Sequence, residues 1–412
     1  MSDPLPLEIT DIANGGQGIG RYKGRPVFVP FTIPGEEITA RIVDDRGKYA
    51  FGEGVQVLVP SQDRVPPLCH HFGPKRCGGC QWQHMTYEAQ LALKTDIVAD
   101  QLSRIGGFDD VPVPVALPSP AQWAYSHQAV FSPLSGGKLG YKTADGEKTI
   151  AIEDCPVVVP EILDLVAKLD LDLPTLNRVK IMDNGRGDQM LILSTSDDEP
   201  PELELDLGIS VNFLTEDKEP ANLIGTTHLI YQLFGRSYRV TAGSFFRSNL
   251  QQIETLVNVV IEMLRIQGKE CVLDLYAGVG LFASVLAPKV SLVTCVESYP
   301  PAANDAEENL QDLDNVDVIE GSIADVLPDL EEPYQIVVLD PPPQGMDKVD
   351  SDAVGEVHPD QIVYIGQDPA ILARDTRRLV ERFGYTLEVV QPIDFEPQTF
   401  RTVSVAYLSK EK

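Results

Sequence analysis

VLDLYAGVGLF, residues 272–282, reads as a buried strand, a tight glycine turn and the first residues of a helix. The strand delivers Asp274, and Gly278 and Gly280 punctuate the turn before the apolar run LFASVLAP. This is the first crossover of a doubly wound α/β sheet, the type in which nucleotide-like ligands lie at the strand C-termini. Small residues in the turn let a ligand approach the backbone. The next strand, SLVTCVES, ends in Glu297, 23 residues after Asp274, where a carboxylate can hold ribose hydroxyls. No GxGxxG follows the strand, so the pattern fits S-adenosylmethionine better than a dinucleotide. A structural turn with an exposed Glu is the plainer alternative.

Working outward, strands and helices alternate from about residue 236 to the end. An amphipathic helix, LQQIETLVNVVIEMLRI, precedes the quoted stretch. After it come PAANDAEENLQDL (helix), VDVIEG, QIVVLDPP and QIVYIG (strands) and ILARDTRRLVERFG (helix). Continuous apolar strands between helices predict a parallel sheet covered on both faces. Residues 1–60 carry short alternating runs separated by Gly- and Pro-rich turns and predict a small, OB-like β-barrel. GGQGIGR, Gly15 to Arg21, opens no helix and is read as a turn between strands. Residues 61–235 form a central α+β domain. Its helix over 86–106 carries an apolar stripe of Leu91, Leu93, Ile97, Val98 and Leu102, ends at Gly106-Gly107, and is expected to pack on the C-terminal domain. SDDEPPELELD, 196–206, reads as a solvated loop. The expected division is therefore 1–60, 61–235 and 236–412.

The chain has 412 residues and a net charge of -29, which excludes a generic nucleic-acid glue. The charge is uneven. Residues 296–361 hold 18 acids and one base, Lys348, whereas residues 1–60 hold 8 acids and 6 bases, so the first domain can meet a polyanion. No apolar run is long enough to span a membrane, and MSDPLPLEITD lacks the apolar core of a signal peptide, so a cytoplasmic location is expected.

Three of the six cysteines, Cys69, Cys77 and Cys80, cluster in CHHFGPKRCGGC, and Cys155 in IEDCPVV is the natural fourth ligand. Four thiolates suit tetrahedral zinc or an iron–sulfur cluster, and spacing alone does not separate the two. In VVLDPPPQG, 337–345, a strand places Asp340 at its C-terminal edge before a proline-stiffened loop. YIGQDPAILARD, 364–375, reads as a strand, a turn at Asp368-Pro369 and a helix from Ala370. The turn carries Gln367, which is neither a nucleophile nor a general base at neutral pH.

These segments, in this order, resemble the RNA uracil-C5 methyltransferases that have a TRAM domain and a four-cysteine iron–sulfur site. GGQGIGR with GRPVFVPFTIPGE looks like the TRAM barrel, and CHHFGPKRCGGCQWQH like the cluster loop. YEAQLALKTDIVADQLSRIGG, AGSFFRSN, DLYAGVG, LDPPPQG, DPAILARD and PQTF continue the match over nearly the whole length. The resemblance implies a Rossmann-like, S-adenosylmethionine-dependent domain, a 4Fe–4S cluster on Cys69, Cys77, Cys80 and Cys155, and an RNA partner such as rRNA or tRNA. It further implies a cofactor site containing Tyr276, Gly278, Glu297, Asp340 and position 247.

In that family a Cys adds to uracil C6, and a Glu removes the C5 proton after methyl transfer. The nucleophile position falls here on Gln367 and the base position on Val403. The Arg after DPP becomes Pro343, a cofactor-contacting Gln becomes Arg247, and an acid near the adenine becomes Ser322. Arg247 could clash with the cofactor's methionine moiety or pair with its carboxylate. Cys271 and Cys295 are expected to be buried and inert. Two readings follow: an RNA-binding relative without uracil-C5 activity, or an active methyltransferase with a different target atom, in which Asp340-Pro341-Pro342 would orient the nucleophile and Asp340 would be catalytic. Neither a membrane nor DNA is an expected partner, and a monomer is expected.

Overall fold

The computed structural model describes residues 3–204 and 207–410, so the last two positions of the acidic loop, Leu205 and Asp206, lie outside the described residues. Five strands close the N-terminal barrel in the order β1-β2-β3-β5-β4. They are β1 (Leu5–Ile12), β2 (Gly18–Tyr22), β3 (Arg25–Val29), β4 (Glu37–Asp45) and β5 (Ala50–Val59). Inward-facing Leu7, Ile9, Val27, Val29 and Ile38 fill it, as the alternating pattern requires. The glycine turn between β1 and β2 is pressed against the rest of the molecule. The Trp82 indole donates to the Gly16 carbonyl at 3.0 Å, and a Cβ at Gly16 would come within 2.7 Å of Phe400.

Helix α1 (Tyr87–Gln101) runs on through a wider turn to Gly106, and Gly107 stops it in the left-handed conformation. The central domain is more β-rich than its sequence suggests. A seven-stranded sheet has the order β12-β11-β10-β9-β6-β7-β8. Its strands are β6 (Gln128–Pro133), β7 (Leu139–Lys142), β8 (Thr149–Ala151), β9 (Leu176–Asp183), β10 (Gln189–Thr195), β11 (Ser210–Leu214) and β12 (Pro220–Ile224). It is backed by α2 (Pro160–Val166). The hairpin β13 (His228–Leu233) and β14 (Arg236–Thr241) straddles residues 235–236, and Tyr231, Tyr238 and Val240 share a core with the C-terminal sheet. A cut at 235 separates two strands that pair with each other, and the same core also takes in Met182, Met190 and Ile192 of the central sheet.

Helix α3 (Leu250–Met263) leads into the C-terminal sheet, whose order is β17-β16-β15-β18-β19-β21-β20. Its elements are β15 (Cys271–Leu275), α4 (Leu281–Leu286), β16 (Leu292–Glu297), α5 (Pro300–Leu310), β17 (Val316–Glu320), α6 (Ile323–Val326), β18 (Ile336–Leu339), α7 (Lys348–Glu356), β19 (Gln361–Gly366), α8 (Pro369–Phe383), β20 (Thr386–Ile393) and β21 (Val403–Ser409). Along β18, Ile336 and Val338 face one core, and Val337 and Leu339 face the other. Both faces are covered, which is why these strands read as unbroken apolar runs. Strand β21 is antiparallel and lies between β19 and β20. It carries Val403 back toward the pocket.

The expected packing of α1 on the last domain is present through Val98 and Leu102, but the buried face of α1 also includes Gln90 and Lys94. Lys94 and Asp394 form an ion pair in which both side chains are fully buried. The Lys94 Nζ also donates to the Glu396 carbonyl at 3.2 Å, and the Tyr87 hydroxyl donates to Asp394 at 2.8 Å. The Gln90 amide donates to Gln398 at 3.1 Å and its oxygen accepts from the Gln398 backbone N–H at 2.9 Å. These bonds fix the segment 394–400 from behind.

Removing one member of such a pair strands the other charge in a dry interior. Asp394→Ala is therefore expected to destabilise the fold by about 3–5 kcal/mol, while replacing both partners by apolar residues costs much less. Denaturant unfolding of the two single variants and the double variant measures this. Additive losses would mean that the pair is not coupled.

Candidate functional site

The segments fixed in this way converge on a cavity of about 490 Å³. Strand β19 ends at Gly366, and the turn to α8 exposes Gln367 to the cavity. Asp368 caps α8 by accepting from the Ala370 and Ile371 N–H groups at 2.8 and 3.0 Å, and Pro369 rather than Ala370 is the first helical residue. From the barrel, Asn14 donates to Asp368 at 3.4 Å. Pro343 follows β18, Val403 opens β21, and Phe245, Arg247, Phe395 and Phe400 complete much of the wall. Gln367, Val403, Pro343 and Arg247, far apart in sequence, thus line one space.

Arg247 is buried, and its Nη2 donates to both Asp340 oxygens at 2.6 Å. Its guanidinium lies 5.5 and 5.1 Å from the ring centroids of Phe245 and Phe395. Burial pushes the Asp340 carboxyl up, and Arg247 opposes that rise. Both fates expected for Arg247 from sequence concern a bound cofactor; within the protein its partner is the Asp340 carboxylate.

Asp340 stands at the end of β18, beside β15, where the strand order changes direction. This is the crevice in which open α/β sheets bind ligands. Asp274, fully buried below it, accepts from the Ala283 N–H at 2.9 Å through Oδ2, while Oδ1 has no hydrogen-bond partner among the described residues. Burial holds the Asp274 carboxyl well above the usual range, and nearby Asp340 and Glu297 add to the rise. Glu297 accepts from the N–H groups of Gly278 and Tyr299 at 2.8 and 2.7 Å.

Gly278 has a φ of +55°, and nothing lies within 4 Å of where its Cβ would be, so the surface above it is open. At Gly280, φ is +81° and a Cβ would meet Leu310 at 2.6 Å; only glycine serves there. Tyr276 spends its hydroxyl on Asp350 of α7, at 2.6 Å. Ser322 caps α6 by accepting from the Asp325 N–H at 3.3 Å.

Cys69, Cys77, Cys80 and Cys155 line a second cavity of about 560 Å³. It shares Gln128, Ser248, Glu396 and Arg401 with the first cavity. Burial raises all four thiols, and Cys80 is pushed up to about 12. Among the described residues, the donor atoms of His70, His71 and Asp154 lie within 4.8 Å of one another beside this cavity; the four thiols do not form so tight a group. Of the remaining cysteines, Cys295 is buried, whereas Cys271 is only half-buried, contrary to expectation. Cys271 begins β15, so it sits at the end of the sheet opposite the crevice.

Residues 5–55 match the TRAM domain family. A Synechocystis sp. protein described as an uncharacterized RNA methyltransferase is 31% identical over 96% of this chain and 93% of its own length. One from Streptomyces avermitilis, with the same description, is also 31% identical, over 99% of this chain and 98% of its own. The chain belongs to the RNA methyltransferase family. Among solved structures, the tRNA (uracil-54, C5)-methyltransferase of Pyrococcus abyssi, in complex with S-adenosyl-L-homocysteine, superimposes with a TM-score of 0.75. That match covers 98% of this chain and 100% of the other at 23% identity. This RNA methyltransferase-family chain therefore has that enzyme's fold, with TRAM barrel, central domain and Rossmann-like sheet together. No helix among the described residues is long and apolar enough to cross a membrane.

Sequence reading found the turn, the acids and the cysteines. It assigned no role to Phe245, although AGSFFRSN belongs to the family match, and it missed Asn14 and Phe395, which no local pattern marks, and the Lys94–Asp394 pair. The signal for that pair was a lysine inside an otherwise apolar helical stripe.

A thiol held near 12 supplies little thiolate at neutral pH. In metal-free protein, Cys80 is therefore expected to alkylate with iodoacetamide far more slowly than an unstructured thiol, with the rate rising through alkaline pH. Mass spectrometry of timed digests gives the rate. Fast modification at pH 7 would show that the cavity does not shield it.

Proposed function

We propose that this protein is a relative of the uracil-C5 RNA methyltransferases that binds RNA and receives an unpaired base without forming the covalent adduct. One observation carries the reading: Gln367, Val403, Pro343 and Arg247 line a single cavity. Uracil C5 becomes nucleophilic only when a thiolate adds to C6, and a base must then remove the C5 proton. The Gln367 amide cannot supply the first step, and the Val403 isopropyl group cannot supply the second. Cys271 and Cys295 are at the far end of a strand and inside one, so neither replaces the missing thiolate.

The crevice beside this cavity suits an S-adenosyl ligand. The unpartnered oxygen of Asp274, the open surface over Gly278, and the carboxylates of Glu297 and Asp340 support that fit. Tyr276 would contribute through its backbone, since its hydroxyl is engaged. When bound, S-adenosylmethionine supplies an electrophilic methyl group. Asp340, neutralised by Arg247, is poorly placed to act as a proton acceptor. A second reading, methyl transfer to another atom of the base, is favoured only by the persistence of this acid-lined crevice next to the cavity.

The four cysteines would hold a 4Fe–4S cluster. Tetrahedral zinc draws its sulfurs to about 3.8 Å from one another. Four thiols lining one cavity could serve either group, and the choice of the cluster rests on the family resemblance. The barrel and the aromatic-lined cavity point to RNA as the partner, with stacking in place of charge supplying much of the contact.

Incubation of anaerobically purified protein with labelled S-adenosylmethionine and total RNA is expected to give no 5-methyluridine. Gln367→Cys is expected to give, at most, a denaturation-resistant protein–RNA adduct without turnover, because Val403 cannot take the proton. Formation of 5-methyluridine by the unaltered protein, or full turnover by Gln367→Cys, would defeat the reading. Separately, Cys80→Ser is expected to abolish the broad visible absorbance of the purified protein. A colourless parent protein with stoichiometric zinc would replace the cluster by a zinc site.

A further inference from the structure

The Arg247–Asp340 pair stands at the boundary between the two spaces just described. Asp340 belongs to the crevice at the end of β18, and Arg247 lines the base cavity. On that reading, a ligand seated over Gly278 and Glu297 would present its sulfur to this boundary, where the crevice and the cavity meet. The group that meets the sulfur is therefore decisive for which form of the ligand the crevice holds.

Three carboxyl groups surround the crevice: Asp274, Glu297 and Asp340. They are close enough for Asp340 and Glu297 both to act electrostatically on Asp274. Asp274 is pushed toward its neutral form, and Glu297 is turned to the amides of Gly278 and Tyr299. Asp340 is the acid that could face a cation at the boundary, and both its oxygens already accept from Arg247. The guanidinium has faces toward Phe245 and Phe395, which hold it in place. The other charged groups on the cavity wall are Asp368, which caps α8, and Glu396 and Arg401, which pair with each other at 3.4 Å.

We propose that Arg247 is a specificity residue that turns the crevice against the sulfonium of S-adenosylmethionine and in favour of the neutral thioether S-adenosylhomocysteine. The inference rests on the S-adenosyl reading of the crevice. The two ligands share the adenosine, the ammonium and the carboxylate. They differ by one methyl and one positive charge at sulfur. With both Asp340 oxygens engaged by Arg247, the crevice offers no free carboxylate there to offset the sulfonium charge, so the charged form would lose its hydration without compensation while the neutral thioether would not. The protein would then be occupied by the spent form of the cofactor.

The test is calorimetric titration of the full-length, cluster-intact protein with S-adenosylmethionine, S-adenosylhomocysteine and adenosine. The unaltered protein is expected to bind S-adenosylhomocysteine at least about tenfold more tightly than S-adenosylmethionine. Arg247→Gln, which frees Asp340, is expected to erase or invert that ratio, chiefly by tightening S-adenosylmethionine binding. Arg247→Lys, which keeps the charge, is expected to retain it. Equal affinities in the unaltered protein overturn the proposal even if Arg247→Gln fails to fold. So does a ratio unchanged by a folded Arg247→Gln. Adenosine separates the failures: if it binds but the two cofactor forms are not distinguished, the crevice reading stands and the role of Arg247 falls. If none of the three binds to any variant, both fall, while the RNA-binding reading remains subject to its own adduct assay.

Discussion

The buried ion pair between Lys94 and Asp394 is the contact on which the site depends. It joins a helix that follows the cysteine loop to the segment that leads into β21. The same segment supplies Phe395 to the Arg247 clamp and Glu396 to the shared wall of the two cavities, and it places Phe400 against the barrel turn at Gly16. A buried ion pair is a poor source of net stability, because desolvation offsets most of the attraction. Its value here is geometric. It admits one register of α1 on segment 394–400, and through that register three domains meet at one cavity.

In the proposed reading, the cavity presents side chains suited to contact at the positions where uracil-C5 chemistry would need bond making. Gln367 offers an amide where a thiolate is required for uracil C5 chemistry, and Val403 offers a methyl surface. Pro343 has no side-chain donor. Arg247 is the one strongly charged addition, and its charge is turned inward to Asp340. The electrostatics of the site are thus settled among protein groups before any ligand arrives. An ordinary methyl-transfer site leaves such groups for the transition state.

The strands, the glycine turn and the order of elements through the C-terminal sheet were legible because each has a local cause. Apolar runs flanked by helices mark buried parallel strands, and Gly280 is demanded by a left-handed cap with Leu310 behind it. The four cysteines were legible as one set because their chemistry is specific. The edge of the sheet was less so. Strands β20 and β21 pair antiparallel, and the extended segment after α1 covers the β20 side, with Val390 donating to the Pro112 carbonyl and Leu117 to that of Pro392. Nothing within residues 108–118 announces that destination. The change to α/β alternation near residue 236 put the expected boundary inside the hairpin at 228–241, whose strands pair with each other and whose tyrosines pack with residues of both sheets.

The sequence by itself determined the layered α/β architecture, the barrel, and which residues stand at the positions where the family resemblance implies chemistry. These follow from periodicity, turn chemistry and residue type, which act over a few neighbours. Only the tertiary structure decided that Gln367, Val403, Pro343 and Arg247 share one wall, that Arg247 pairs with Asp340, and that Asn14 of the barrel reaches Asp368. Those contacts join residues 93 and 354 positions apart. They form across elements that the burial of both sheet faces and of the Lys94–Asp394 pair brings together.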